Sequence, residues 1–120
     1  MQNNEEAEQA AVVAAEKWLS LIDFFNYDES WNQAAGLFKS YVSLEDWKSS
    51  LKAVQDSLGT VVSRVLKTKQ YALELPGAPD GEYVVIQYET VFENKRNAIE
   101  TITPMKDKDG EWRVSGYFVK

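Results

Sequence analysis

The residues best suited to chemistry in this sequence are a few carboxylates and one arginine. Asp23 lies in a stretch with helical periodicity, seven residues after Glu16 and three after Ser20. A carboxylate enclosed in an apolar cavity can act as a general base. Acidic residues on helices are, however, mostly solvated, and Asp23 can equally cap the turn that follows. Asp23 is therefore the candidate catalytic residue, with an exposed helix face as the alternative.

Arg64 and Glu100 form a second candidate pair, because both fall in stretches with strand character. If both side chains point into one cavity, they can act together as an anchor for a ligand carboxylate. The alternative is a cross-strand ion pair at the surface, which contributes little.

Five aromatic residues can line a pocket, since each offers a flat apolar wall with a polar tip. They are Trp31, Tyr83, Tyr88, Trp112 and Tyr117. Packing within the core and the sheet is the alternative for each. The candidate ligand-binding residues are Trp31, Arg64, Tyr88, Glu100 and Trp112.

The composition excludes several kinds of site. The 120 residues include no cysteine and no histidine, so thiolate nucleophiles, cysteine-ligated metals and the commonest general base are absent. We predict no metal and no cofactor. A formal charge of -6 argues against nucleic acid as a partner. The run from Asp107 to Gly110 resembles a calcium loop only superficially and predicts a hairpin turn.

Three helices are predicted in the first half of this single domain, 1–120. Apolar residues recur at three- and four-residue steps over 5–25, and a shorter helix is predicted over 29–38. Ser43 is the predicted cap of the third helix, and Gly59 is its predicted end. Residues 1–5 are predicted to be disordered.

Four strands are predicted after residue 60, and their short links favour antiparallel pairing. The first is expected to be bent or bulged near 67–69, and Pro104 fits only an edge or a bulge. The fold class is therefore α+β, with three N-terminal helices packed on a curved four-stranded sheet above a conical cavity. The face of the sheet that points away from the helices is the predicted outer face. One set of its residues is apolar enough to form a homodimer interface: Tyr83, Val85, Val91, Tyr117 and Val119.

The chain resembles the bacterial DUF4019 family in three blocks. The third is the most specific and runs through Leu75-Pro76-Gly77-Ala78-Pro79-Asp80-Gly81-Glu82-Tyr83-Val84, then Glu100-Thr101, Gly110, Trp112 and Gly116-Tyr117. The first includes Trp18-Leu19, Asp23 and Ser30-Trp31, and the second Trp47, Leu58-Gly59 and Ser63-Arg64. The resemblance implies an NTF2-like (cystatin-like) cone, a removed leader and a periplasmic or extracytoplasmic location. It implies no activity. Gln55 and Ser57 depart from a basic residue and a proline that are frequent in the family.

Three functional hypotheses remain open. The first is a non-enzymatic envelope module that binds a small apolar or amphipathic ligand, or a protein partner. The second is a small isomerase or lyase with Asp23 as its base, which requires Asp23 to be buried. The third is a structural domain that dimerises through the sheet. No run of the sequence approaches the ~20 apolar residues of a membrane span.

Overall fold

A computed structural model describes residues 4–120, in which four helices precede four strands. The helices are α1 (Asn4–Asp23), α2 (Tyr27–Asn32), α3 (Gly36–Tyr41) and α4 (Leu44–Leu58). The strands are β1 (Val61–Ala72), β2 (Tyr83–Phe92), β3 (Lys95–Lys106) and β4 (Trp112–Val119). They form one antiparallel sheet in the order β1-β2-β3-β4, so the α+β class is confirmed. The NTF2-like cone stays a prediction.

The disorder predicted for residues 1–5 concerns mostly residues outside the described part of the chain. Residues 1–3 lie outside it, and Asn4 and Glu5 lie in the first turn of α1. None of the helices described in residues 4–120 is long and apolar enough to cross a membrane.

The number of helices differs from the prediction, because the segment expected to form one helix over 29–38 is divided into α2 and α3. Ala35 adopts an extended conformation, and its backbone N–H donates to the Val114 carbonyl of β4 at 2.8 Å. Ala34 and Ala35 are fully buried at this break. The helix is therefore interrupted by a contact with a strand that lies about 80 residues later in the sequence.

The ends of α4 are formed by the residues that the sequence predicts. The Ser43 side chain accepts a hydrogen bond from the Asp46 backbone N–H at 3.1 Å. Gly59 has φ = 79°, and a Cβ added there would lie 2.8 Å from the Cβ of Glu93. Gly59 is thus required both by the backbone conformation and by the close approach of the β2–β3 turn.

The core lies between α1 and the inner face of the sheet. Trp18 and Leu19 of α1 are almost completely buried, and Trp18 lies 5.8 Å from Trp47 of α4 between ring centroids. The sheet contributes an alternating set of buried residues, as expected for strands with one covered face: Val84, Ile86, Tyr88, Ile102 and Val114.

A β-bulge in the β3–β4 pair reverses the direction of two β4 side chains relative to the simple alternation of a strand. Thr103 pairs with Gly116 but Pro104 pairs with Val114, so Ser115 is an extra residue. Beyond the bulge the alternation is reversed: Tyr117 packs against the core, and Phe118 is 58% exposed. The prediction of Tyr117 on the outer face is therefore wrong, whereas Pro104 at a bulge is confirmed.

Two other features of the sheet bear on the predictions. The register of β1 and β2 shifts between Leu66 and Thr68, so the predicted bend or bulge is confirmed. Tyr83 belongs to the outer face but is only 1% exposed, because its hydroxyl donates to the Pro79 carbonyl in the loop that folds over it. Tyr83 therefore contributes no exposed surface to an outer-face dimer.

Candidate functional site

A partly buried charge network joins α1 to the sheet. The Arg64 network consists of Asp23, Arg64, Thr90, Glu100 and Tyr117. Arg64 Nε donates to Glu100 Oε1 at 2.6 Å, and Nη2 donates to Glu100 Oε2 at 3.1 Å. On its other side, Nη1 and Nη2 donate to the two carboxylate oxygens of Asp23 at 2.8 and 3.1 Å.

The strand register explains how these side chains meet. Arg64 on β1 lies opposite Thr90 on β2, and Glu100 on β3 lies opposite Val119 on β4. Thr90 Oγ1 and Tyr117 Oη each donate to the Glu100 carboxylate at 2.5 Å. Asp23 reaches the same place because it is the last residue of α1. Glu100 is 0% exposed and accepts from three different side chains.

The groups of the Arg64 network change one another's pKa values. Burial acts to lower the pKa of Arg64, but the hydrogen bonds from Arg64 to Asp23 and Glu100 outweigh it and raise the pKa above its ordinary value. Burial raises the pKa of Tyr117, and the nearby Glu100 carboxylate raises it further. Two carboxylates surround one guanidinium, so the ionised network carries a formal charge of -1.

The Arg64 network leaves little room for a substrate. The enclosed cavity beside Asp23, Gln55 and Arg64 measures about 20 Å³, which is enough for one water molecule. Both Asp23 oxygens are engaged by Arg64, and the Asp23 side chain is 29% exposed. Every buried polar side-chain atom in the described part of the chain has a hydrogen-bond partner. The arrangement is therefore that of a completed internal ion pair.

A much larger space lies next to this network, between the C-terminal half of α4 and the end of β4. The α4–β4 groove has a volume of about 700 Å³ and is lined by Trp47, Ser50, Leu51, Ala53, Val54, Ser57, Leu58, Lys95, Tyr117, Phe118, Val119 and Lys120. Sites for drug-sized ligands measure about 300–1,000 Å³, so the groove has the size of a ligand site.

The packing of α4 explains why the groove exists. Near its start, Trp47 Nε1 donates to Ser30 Oγ of α2 at 2.9 Å, and the Trp47 ring lies 5.0 Å from the Phe38 ring. Gln55 Nε2 donates to the Ile22 carbonyl at 3.1 Å and fixes the side of α4 that faces α1. The side of α4 that faces β4 carries small residues at helical spacing, which fill little space: Ser50, Ala53, Val54 and Ser57.

The groove and the Arg64 network share one residue. The Tyr117 side chain lines both the groove and the small cavity, while its hydroxyl donates to Glu100. The bulge in β4 is what turns Tyr117 inward, and the Tyr117 ring lies 5.5 Å from the Trp18 ring between centroids. The wall of the groove is therefore held by a partly buried hydrogen bond and by the core.

The charged residues that line the groove are Lys95 and Lys120. Neither forms an ion pair with another residue among those described in 4–120. By contrast, Arg113 forms ion pairs with Asp107 and Asp109 near the β3–β4 turn. The groove thus combines apolar walls with two lysines that have no ion-pair partner in the described part of the chain.

The structure brings together only part of the predicted ligand-binding set. Arg64 and Glu100 meet as expected, but they bind each other and Asp23. Tyr88 is buried, and its hydroxyl donates to Glu16 at 3.4 Å. Burial raises the pKa of Tyr88, and the carboxylate of Glu16 adds to the effect.

The two predicted tryptophans lie elsewhere. Trp31 Nε1 donates to the Val42 carbonyl at 2.7 Å, which fixes its ring between helices. Trp112 lines a separate, more polar cleft of about 500 Å³ together with Lys17, Asn32 and Arg113. Neither tryptophan contributes to the α4–β4 groove.

Sequence reasoning missed most of the residues that line the groove. Ser50, Ala53, Val54 and Ser57 recur at the three- and four-residue steps of one helix face, and that face adjoins the buried positions Trp47 and Leu51. A face of small residues beside the apolar stripe was the available signal. Lys95 and Lys120 gave no signal, because surface lysines are common in any sequence.

No group of three acidic side chains within residues 4–120 is arranged to hold a metal ion.

In comparisons with known proteins, the family model described as a protein of unknown function (DUF4019) matches residues 14–117. No curated protein matches the chain significantly. The match includes both the Arg64 network and most of the lining of the α4–β4 groove.

Proposed function

This chain belongs to the DUF4019 family of proteins of unknown function, and we propose that it is a non-enzymatic module of the bacterial envelope that binds a small amphipathic ligand. The ligand occupies the α4–β4 groove. One observation carries the proposal, namely the apolar groove of about 700 Å³ that α4 leaves open beside β4. The envelope location rests on the resemblance of the sequence to the family.

The walls of the groove suit a ligand with an apolar body. Ala53, Val54 and Leu58 present side chains from α4, and the Tyr117 ring faces them from β4. Burying apolar surface contributes roughly 25 cal/mol per Å², so a ligand that covers part of these walls gains its affinity mainly there. A small number of polar groups at the rim then fixes its orientation.

The chemistry near Asp23 argues against an isomerase or lyase. Both of its carboxylate oxygens accept hydrogen bonds from Arg64, and the adjoining cavity holds no more than a water-sized molecule. A general base must reach a substrate proton at about 2.6–3.2 Å. The geometry therefore favours a structural role for Asp23 over a catalytic one.

Native mass spectrometry tests the binding proposal. Protein purified under native conditions is compared with denatured protein and with an Ala53→Trp variant. Ala53 is exposed on α4 and lines the groove, so a tryptophan there fills the groove without removing any core contact. We expect extra mass on the native wild type that is lost on denaturation and reduced in the variant. Equal retention of the extra mass by the variant would place the ligand elsewhere.

A further inference from the structure

The charge of the groove specifies the ligand further. Resting on the proposed function, we propose that the α4–β4 groove binds a single-chain fatty carboxylate. The chain lies along Ala53, Val54 and Leu58, and the carboxylate head is held by Lys95 and Lys120. No acidic residue is among those that line the groove in the described part of the chain.

The alternative anchor for a carboxylate, Arg64, is already occupied. A guanidinium has five N–H groups, and four hydrogen bonds of Arg64 go to Asp23 and Glu100. The network has a formal charge of -1, so a further anion beside it would be repelled. The negative head of a ligand is therefore directed away from the Arg64 network and toward the two lysines.

The negative charge of the whole protein does not oppose this assignment. The formal charge is -6, but salt screens exposed charges over a Debye length of about 8–10 Å. Lys95 and Lys120 line the groove itself and therefore lie within that distance of a bound head group. A lysine ammonium also places no directional demand on its partner, which suits a carboxylate at an open rim.

The size of the groove favours one chain. A volume of about 700 Å³ lies within the range for drug-sized ligands of roughly 300–1,000 Å³. A phospholipid adds a second acyl chain and a glycerol phosphate to that requirement. We therefore assign the groove to a free carboxylate, and a lipid of two chains is a distinct outcome of the test.

Isothermal titration calorimetry with decyl ligands below their micelle concentrations tests the assignment. Decanoate, decanol and decyltrimethylammonium carry the same chain with a negative, neutral and positive head. Vesicles containing phosphatidylglycerol serve as the two-chain probe. Each ligand is titrated into the wild type, Lys95→Gln, Lys120→Gln, the double variant and Lys108→Gln. Lys108 is an exposed lysine of the β3–β4 turn outside the groove, so it is the matched control for net charge.

We expect decanoate to bind more tightly than decanol, and decyltrimethylammonium to bind most weakly. Exposed charge pairs contribute about 0.2–1 kcal/mol, so each lysine variant should weaken decanoate binding by roughly 1.5–5-fold. The double variant should bind decanoate and decanol equally, and Lys108→Gln should behave like the wild type. The preference for decanoate should also decrease as salt is added.

The outcomes separate this assignment from the proposed function. Equal binding of decanoate and decanol to the wild type would overturn the carboxylate assignment and leave a ligand-binding groove. Tighter binding of phosphatidylglycerol than of decanoate would overturn the single-chain assignment. Absence of binding by all of the probes would contradict the proposed function itself. A loss of affinity in Lys108→Gln as large as in Lys95→Gln would show that net charge, not the groove, is responsible.

Discussion

Removal of Arg64 should strongly destabilise the fold, because it would leave Glu100 as a buried carboxylate without a counter-ion. Glu100 is 0% exposed, and Arg64 supplies two of its hydrogen bonds. Breaking one partner out of a buried ion pair costs about 3–5 kcal/mol. We expect Arg64→Met to lower the free energy of unfolding by that amount. For a domain of this size the melting temperature should fall by roughly 12–20 °C.

Two further variants show whether the buried charge is the cause. Asp23→Asn removes the partner that is 29% exposed and leaves Arg64 paired with Glu100, so it should cost no more than about 1 kcal/mol. Adding Glu100→Met to Arg64→Met removes the buried charge as well. Replacing both members of a buried pair by apolar residues is often neutral or stabilising, so the double variant should be more stable than Arg64→Met alone.

Urea denaturation followed by tryptophan fluorescence measures all three free energies of unfolding. A dominant role of the buried Glu100 charge is refuted if Arg64→Met costs less than Asp23→Asn, since Glu100 would then not depend on Arg64 for its charge balance. It is also refuted if the double variant is no more stable than Arg64→Met, because the loss would then come from packing rather than from charge.

Three other predictions concern single positions. Gly59→Ala should lower the free energy of unfolding more than Gly77→Ala does. Both glycines have a positive φ of 78–79°, which costs an alanine about 1 kcal/mol of backbone strain, but only Gly59 is crowded. The difference between the two variants in thermal unfolding therefore measures the effect of crowding. The hydrogen bond from Arg113 lowers the pKa of Asp109 to about 2. The stabilisation of the fold by ionised Asp109 is therefore present above about pH 4 and is lost as the pH falls toward 2. In Asp109→Asn, the urea midpoint should depend less on pH over that range. Burial raises the pKa of Tyr117. The stabilisation of the fold by the neutral Tyr117 hydroxyl is therefore present below about pH 10 and is lost above it. In Tyr117→Phe, the free energy of unfolding should decrease less as the pH rises above about 10.

Each of these predictions has a contrary result. Equal losses for Gly59→Ala and Gly77→Ala would mean that the β2–β3 turn yields to the added methyl group. Unchanged acid midpoints in Asp109→Asn would show that its pair with Arg113 does not differ between the folded and unfolded states. An alkaline transition in Tyr117→Phe that matches the wild type would assign that transition to other tyrosines.

Local patterns in the sequence predicted the elements well where neighbouring residues decide the outcome. Ser43 and Gly59 mark the ends of α4 because capping depends on a few adjacent residues. The division between α2 and α3 escaped prediction, since it depends on the hydrogen bond from Ala35 to Val114. A contact between such distant positions leaves no trace in local periodicity.

The candidate site was harder to predict for a related reason. Alternation along β4 placed Tyr117 on the outer face, but the extra residue Ser115 turns Tyr117 inward and leaves Phe118 exposed. Arg64 and Glu100 were selected correctly as residues that meet, although the sequence could not show that Asp23 completes their charge balance. An empty space between two elements is set by their packing distance, which the sequence pattern does not specify.

The most direct test of the α4–β4 groove is a titration of labelled protein with decanoate, followed by backbone amide chemical shifts. We expect the largest changes at residues 50–58 and 117–119, which face each other across the groove, and much smaller changes in the Ala53→Trp variant. Changes confined to the polar cleft beside Trp112, or no changes at saturating decanoate, would contradict the account.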